Sequence, residues 1–414
     1  MDTPPSVVAP RLPANPADRG RRLPAGIVGA LTLVTIGWTG LVVPSLIRSI
    51  KATFAQDDVG IGLVYLLWAI AYAAGSFGGG ALTERAGRRP VLGAATLVHG
   101  VGVAGLGVAG MGLAPSWGLF MVAALVAGGA AGFLDGGANG LVLDVYRDGR
   151  GRAMNLLHMA FSVGALAAPL AVGALVEGGV AWQAVVIGTG AVAALLAATY
   201  GLVPMPTGKR TPRAAGAQRV AGAAGGERPR WLLAGPLLLL GAAIAAYVAS
   251  EVGVSNWLVR FLEPAPLTTA TLALSLYWAG LALGRLVSSA VADRFDHLRF
   301  TIAMALGMTV LLAFAVLVPS LPISIAAFAA AGVASGPIFP MIVALGGEHR
   351  PDRSAAVGGS LTGMAVVGST IYPPVMGVLS VTVGLTVAML GTAVLAVGSA
   401  IALVAFGRVT ARRA

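Results

Sequence analysis

Residues 24–47, PAGIVGALTLVTIGWTGLVVPSLI, run without a single charged side chain. About 20 consecutive apolar residues are enough to cross a bilayer as a helix, and this stretch meets that length. Upstream lie Arg11, Arg19, Arg21 and Arg22; downstream lies Arg48. A charged leader before an apolar run is also how a secretory signal begins. This run exceeds a signal's apolar core and no convincing cleavage site follows, so it reads as an uncleaved first span. Comparable windows recur near 60–82, 91–113, 117–143, 153–176, 181–204, 231–258, 267–291, 300–319, 321–346, 354–378 and 382–407. Backbone polar groups find no partner in lipid unless they pair within a helix or a closed barrel. Twelve helical spans follow, separated by breaks such as Arg48 to Asp58, Glu84 to Pro90 and Glu177 to Gly179.

Composition agrees with that reading. Of 414 residues, 57% are hydrophobic and 10% charged, against roughly 25% charged in soluble domains. The 59 glycines suit helices that pack backbone to backbone, because lipid offers helices little hydrophobic reason to associate. Without cysteine there is no disulfide and no thiolate metal site. No arrangement of residues suggests a cofactor, a metal centre or an enzyme. The net charge of +11 is a topology signal and implies no nucleic-acid partner. With the N-terminus in the cytoplasm, all Lys and Arg except Arg48, Lys51, Arg260 and Arg285 fall on the cytoplasmic side. Both termini are therefore expected there, in an inner (plasma) membrane, with anionic lipid as a neighbour.

Segment 205–230, rich in Ala, Gly, Arg and Pro, reads as a cytoplasmic linker. It divides the chain into a tail (1–23), a six-span bundle (24–204), a second bundle (231–407) and a short tail (408–414). The halves repeat. Gly75, Ala81, Glu84 and Arg85 recur 209 residues on as Gly284, Ala290, Asp293 and Arg294. Gly164, Pro169, Gly173 and Leu175 recur at an offset of 204 as Gly368, Pro373, Gly377 and Leu379. Arg48 recurs at 212 as Arg260. Parallel halves enclosing a midplane site are a transporter plan.

The loop Gly78-Gly79-Gly80-Ala81-Leu82-Thr83-Glu84-Arg85-Ala86-Gly87-Arg88-Arg89 resembles the signature of the major facilitator superfamily between its helices 2 and 3, with Glu84 where Asp is usual. That resemblance implies a cytoplasmic gate built from Glu84, Arg85 and Arg88, with Asp293, Arg294 and Arg285 in the second half. It also implies a monomer. A closer resemblance is to the fucose-permease-like branch, which implies proton-coupled sugar uptake. It rests on Gly132-Phe133-Leu134-Asp135-Gly136-Gly137-Ala138-Asn139, on Met154-Asn155-Leu156-Leu157-His158 with Phe161-Ser162-Val163-Gly164, and on Gly336-Pro337-Ile338-Phe339-Pro340. That branch carries a carboxylate before its span-1 proline run; here Gly40 precedes Leu41-Val42-Val43-Pro44. Glu251, which pairs with Thr39 at the offset of 212, could supply an acid from the other half.

Ionisable groups inside spans are costly and are functional candidates by default. Excluding water disfavours an ionised carboxyl, which makes Asp135 a proton carrier or, more blandly, a polar core residue. Glu251 is a second carrier, a vestibule acid, or a partner of Arg260. His158 is a proton relay or a buried donor–acceptor; His99 is chiefly the latter. Asn139 shares a helix face with Asp135; it and Asn256 suit a hydroxylated solute or an interhelical hydrogen bond. Arg285 snorkels or joins the gate around Asp293, or else clamps a substrate carboxylate. Among the aromatics, Trp38, Trp257, Tyr277 and Trp278 are candidates to line a sugar site. The expectation is a secondary transporter moving a small polar solute, a sugar foremost, with protons. The alternative is a proton-coupled exporter, since Gly164 to Gly173 distantly resembles an antiporter motif.

Overall fold

A computed structural model describes residues 16–112, 114–146, 150–203 and 235–411. Twelve of its helices are long and apolar enough to cross a membrane. They are α1 (Pro16–Ser45), α2 (Asp58–Ala86), α3 (Arg88–Ala109), α4 (Trp117–Val145), α5 (Arg150–Glu177) and α6 (Trp182–Leu202) in the first half. The second half holds α7 (Gly235–Phe261), α8 (Leu267–Val291), α9 (His297–Leu317), α10 (Leu321–Ser335 with Ile338–His349), α11 (Ser354–Thr382) and α12 (Leu385–Ala411). The expected linker 205–230 lies outside the described residues. Below, the side of the molecule reached by the start of α1 and the end of α12 is the terminal face. The opposite side is the far face.

Local chemistry sets the helix ends. Asp57, Ser116 and Asp296 cap α2, α4 and α9 by accepting from backbone N–H groups three residues on, which satisfies donors a helix start leaves free. Gly179, after α5, and Gly384, after α11, both adopt positive φ, 92° and 94°. They are equivalent positions of the two halves, where the chain must turn sharply at no steric cost. Outward-facing side chains such as Leu195 (72% exposed) and Val394 (69%) form an apolar belt, as lipid-facing surfaces require.

Two elements differ from the sequence reading. The break expected from Arg48 to Asp58 contains a short helix, Ile47–Phe54. Ile47, Ile50 and Phe54 fall on one face and are buried, and that apolar stripe gives eight residues a reason to coil. The single window 321–346 is interrupted at Gly336 and Pro337. Pro337 has no N–H for the Val333 carbonyl, and Pro340 has none for the Gly336 carbonyl, so the ladder opens there.

The repeat is visible as packing. Gly164 on α5 sits against the Val34 carbonyl of α1, and its counterpart Gly368 on α11 against the Ala245 carbonyl of α7. Gly75 on α2 meets the Gly129 carbonyl of α4, and Gly284 on α8 meets the Val333 carbonyl of α10. Each is a crossing that a Cβ would push apart. Gly164→Ala should therefore cost about 1–3 kcal/mol, the usual penalty of overpacking. A thermal-unfolding scan of the detergent-purified protein should show a lowered transition. Gly188→Ala on α6, where a Cβ meets nothing within 4 Å, should leave it unchanged.

Candidate functional site

The halves touch along α2–α11 and α5–α8. Gly62 packs on Pro374 and Gly377 on Asp58 in the first seam; Gly173 packs on Thr271 in the second. Polar bonds across the seams begin at the far face. Asp58, buried at the start of α2, pairs with Lys51 of its own half and with Arg260 of α7. The Arg260 Nε lies 3.1 Å from its carboxylate, and the Ser380 hydroxyl of α11 donates to it at 2.8 Å. Arg48 donates to the carbonyls of Val259 (3.0 Å) and Ala265 (2.7 Å). Burial holds the Arg48 guanidinium below its ordinary pKa, although an arginine keeps its charge. Thr268 N–H donates to Glu177, and the Tyr65 hydroxyl to the Asn256 carbonyl at 2.9 Å. Nearer mid-membrane the Ser275 hydroxyl donates to the Leu166 carbonyl, and Phe161 meets Trp278 with ring centroids 5.9 Å apart. The far face is thus tied shut across both halves.

Arg260 is taken by Asp58 and Glu263, so the sequence-based option of a Glu251–Arg260 pair does not hold. Both of its partners come from loop or helix-end positions, and the span puts Glu251 more than two turns away. The Asp58 cluster was legible only in part: Arg48, Lys51 and Arg260 stood out as cations on the far side, but their acid lay at a helix end.

Between the halves, below that closure, the intramembrane ionisable groups converge. Asn139 donates from Nδ2 to the Asp135 carboxylate at 3.0 Å, so the expected shared face is there. Tyr72 of α2 directs its hydroxyl at the same carboxylate. His158 of α5, which is exposed, lies within electrostatic range of both Asp135 and Arg285. Arg285 in turn is within range of Glu251, which is buried on α7 and accepts from the Tyr247 hydroxyl. Asp135 in one half and Glu251 in the other are thus bridged electrostatically, each within range of a cation or imidazole, His158 or Arg285, that is in range of the other. Tyr72 and Tyr247, for which the sequence offered no role, lie beside the two acids.

On the helices that carry Asp135 and Arg285, three buried polar groups lack a well-formed partner: the Asn139 Oδ1, the Tyr277 hydroxyl and the Trp278 indole N–H. Leaving such groups unpaired costs about 1–3 kcal/mol each, a cost a bound solute would offset. Tyr277 approaches Ser335 only loosely and lies within range of Glu251 and Arg285. Both members of the Tyr277–Trp278 pair, each a candidate from the sequence, thus carry a buried polar atom without a well-formed partner.

Other candidates sit elsewhere. Trp257 is fully buried, and its indole N–H donates to the Pro373 carbonyl at 3.1 Å. It packs edge-on to Tyr65 in the far-face closure, so it offers a solute no polar atom. The Asn256 carbonyl serves the same closure. The Trp38 indole donates to Thr189 within the first bundle, 3.3 Å away. His99 is spent on structure. Its Nδ1 faces the Ala127 carbonyl, which can only accept, leaving Nε2 to accept from Thr39. Of the expected gate, Arg88 opens α3 and Arg294 is exposed in a turn after α8. The side chains of Glu84, Arg85 and Asp293 lie outside the described residues. Arg285 lies within electrostatic range of His158 and Glu251. Among the described residues no three His, Asp or Glu side chains cluster as metal ligands would.

Comparison with known proteins fits this architecture. The chain is similar to a glucose/galactose transporter of Brucella abortus biovar 1 (strain 9-941), 28% identical over 159 residues. That match spans 37% of this chain and 38% of the relative. Among solved structures it superposes on a D-xylose-proton symporter with a TM-score of 0.74 at 14% identity, covering 92% of this chain and 97% of that one. It also superposes on a bacterial homolog of the human lysosomal transporter Spinster in an inward-facing, unoccupied conformation. There the TM-score is 0.73 at 18% identity, covering 95% of this chain and 98% of that one. The model of the Major Facilitator Superfamily matches residues 26–265 and 238–414. With nearly every span matched, and with two six-helix bundles meeting around a polar centre, the chain belongs to the major facilitator superfamily.

Proposed function

We propose that this protein is a secondary active transporter that moves a small polar solute, a sugar foremost, across the inner membrane with protons. The observation that carries the reading is a carboxyl inside a span of each half, Asp135 bonded by Asn139 and Glu251 by Tyr247, with His158 and Arg285 in electrostatic range between them. Carboxyls held in oil can be discharged by a proton, and discharge removes the cost of moving a buried charge. One acid comes from each half, so a proton or solute bound between them bears on how the halves sit. The terminal face is cytoplasmic on the positive-inside argument. The latched far face is then external, and the arrangement is one closed to the outside. Rocking of the halves about their shared centre exposes it to each side in turn. The glucose/galactose relative and the xylose-proton symporter support the choice of solute class.

The test is transport itself. Reconstituted protein should accumulate labelled glucose, galactose or their derivatives when an acid-outside gradient is imposed, and a protonophore should abolish the accumulation. Efflux of solute against the same inward proton flow would mark the exporter instead. Gradient-insensitive equilibration would remove proton coupling from the account.

A further inference from the structure

Arg285 has a structural counterpart that separates its backbone role from its charge. Its Nε points at the Gly336 carbonyl across α8 and α10, 3.4 Å away. At the equivalent position of the first half, 209 residues earlier, Ser76 donates to the Gly132 carbonyl at 3.1 Å. Gly132 and Gly336 are themselves equivalent, at the offset of 204. In each half a side chain on the second helix thus bonds a glycine carbonyl on the fourth. A serine hydroxyl suffices for that in one half. The second half spends a guanidinium there, although placing one inside a membrane span is costly.

The rest of that guanidinium is not used by the protein. Among the described residues Arg285 has no ion pair within 4 Å, and its one hydrogen bond is the long contact to Gly336. Glu251 is in electrostatic range, but its carboxylate is engaged by Tyr247. His158, also in range, is no anion. The side chain is half-buried, with the Tyr277 hydroxyl and Trp278 indole N–H, both without a well-formed partner, on its own helix and the Asn139 amide oxygen on α4 of the other half.

The geometry assigns Arg285 as the receptor for an anionic group on the solute, with the transported molecule a polyhydroxylated monocarboxylate, a sugar acid, rather than a neutral sugar. This rests on the reading of the centre as a solute site. A guanidinium fork matches a carboxylate through two parallel hydrogen bonds. The orphan hydroxyl, indole N–H and amide oxygen supply two donors and an acceptor for sugar hydroxyls. With Asp135 and Glu251 protonated, the single cation leaves room for one negative charge, and a doubly charged phosphate ester would leave the site net negative.

The experiment is a pair of binding isotherms on the purified full chain, with glucuronate against glucose and galacturonate against galactose. Wild-type protein should bind at least one uronate tenfold or more tighter than its neutral partner. Arg285→Ser, which restores what the first half uses, should cut uronate affinity at least tenfold and bring the two Kd values together. Neutral sugar bound as tightly as uronate by the wild type overturns the inference and leaves the sugar-carrier reading standing. A uronate preference that survives Arg285→Ser also overturns it. Should that variant fail to fold, the wild-type ratio alone still decides. Binding of none of the four sugars overturns both readings.

Discussion

Proteoliposomes carrying Asp135→Asn are expected to exchange labelled sugar across the membrane yet fail to concentrate it under a proton gradient. Asn keeps the shape, and its amide can still meet Tyr72 and Asn139, which surround the native carboxyl. It cannot gain or lose a proton. If Asp135 is the group through which proton flow is felt, a one-unit pH difference, worth about 1.4 kcal/mol or tenfold in concentration, drives nothing in the variant. Accumulation should fall from about tenfold to unity, while counterflow, which needs only the solute site and the rocking motion, persists. Glu251→Gln is the companion measurement. Loss of accumulation in both variants would mean that both acids are needed for coupling. Undiminished accumulation in Asp135→Asn would take that residue out of the mechanism.

The second large effect is expected at the far face. Asp58 is 4% exposed and serves Lys51, Arg260 and Ser380 at once. Two of those three partners belong to the other half. Removing one member of a buried, hydrogen-bonded charge cluster typically costs about 3–5 kcal/mol, mostly from the charges left behind. Here much of that cost can be escaped by opening, which returns Arg260 and Lys51 to water. Asp58→Asn should therefore shift the population toward a conformation open at the far face. The absence of native cysteine makes this directly measurable. A cysteine at Val259, fully buried beside the Arg48 contact, should react slowly with an impermeant maleimide in the parent. In the Asp58→Asn background it should react at least tenfold faster, the equivalent of about 1.4 kcal/mol. Equal rates would show that Asp58 does not hold the closure.

Together these experiments separate two functions that the fold keeps apart. On the proposed reading the Asp58 cluster governs which side is open, and Asp135 with Glu251 governs what drives the change. Arg285 lies near the second and is the proposed receptor for the solute's charge. Arg260 is paired with carboxylates of the far face, and Arg48 bonds two backbone carbonyls there while its Nη2 is buried without a partner; Arg285 differs in lying within electrostatic range of Glu251 and His158.

Sequence by itself determined the number of spans, their division into repeated halves, and which ionisable residues lie in the membrane. Those follow from properties local to the chain: unbroken apolar length, glycines at a fixed offset, and the high cost of charge in lipid. The pairing of Asp135 with Asn139 was equally local, being one helical turn. Only the tertiary structure decided that Arg260 belongs to Asp58 and not to Glu251, that Trp257 is sealed into the far-face seam while Tyr277 and Trp278 keep unmet polar atoms, and that Arg285 faces His158 and Glu251. A helix's sequence gives the angular face on which a side chain sits. Which other helix that face meets, and at what depth, is set by how whole bundles pack, through crossings such as Gly164 on α1 and the broken ladder of α10 at Gly336, and no window of the chain encodes that by itself.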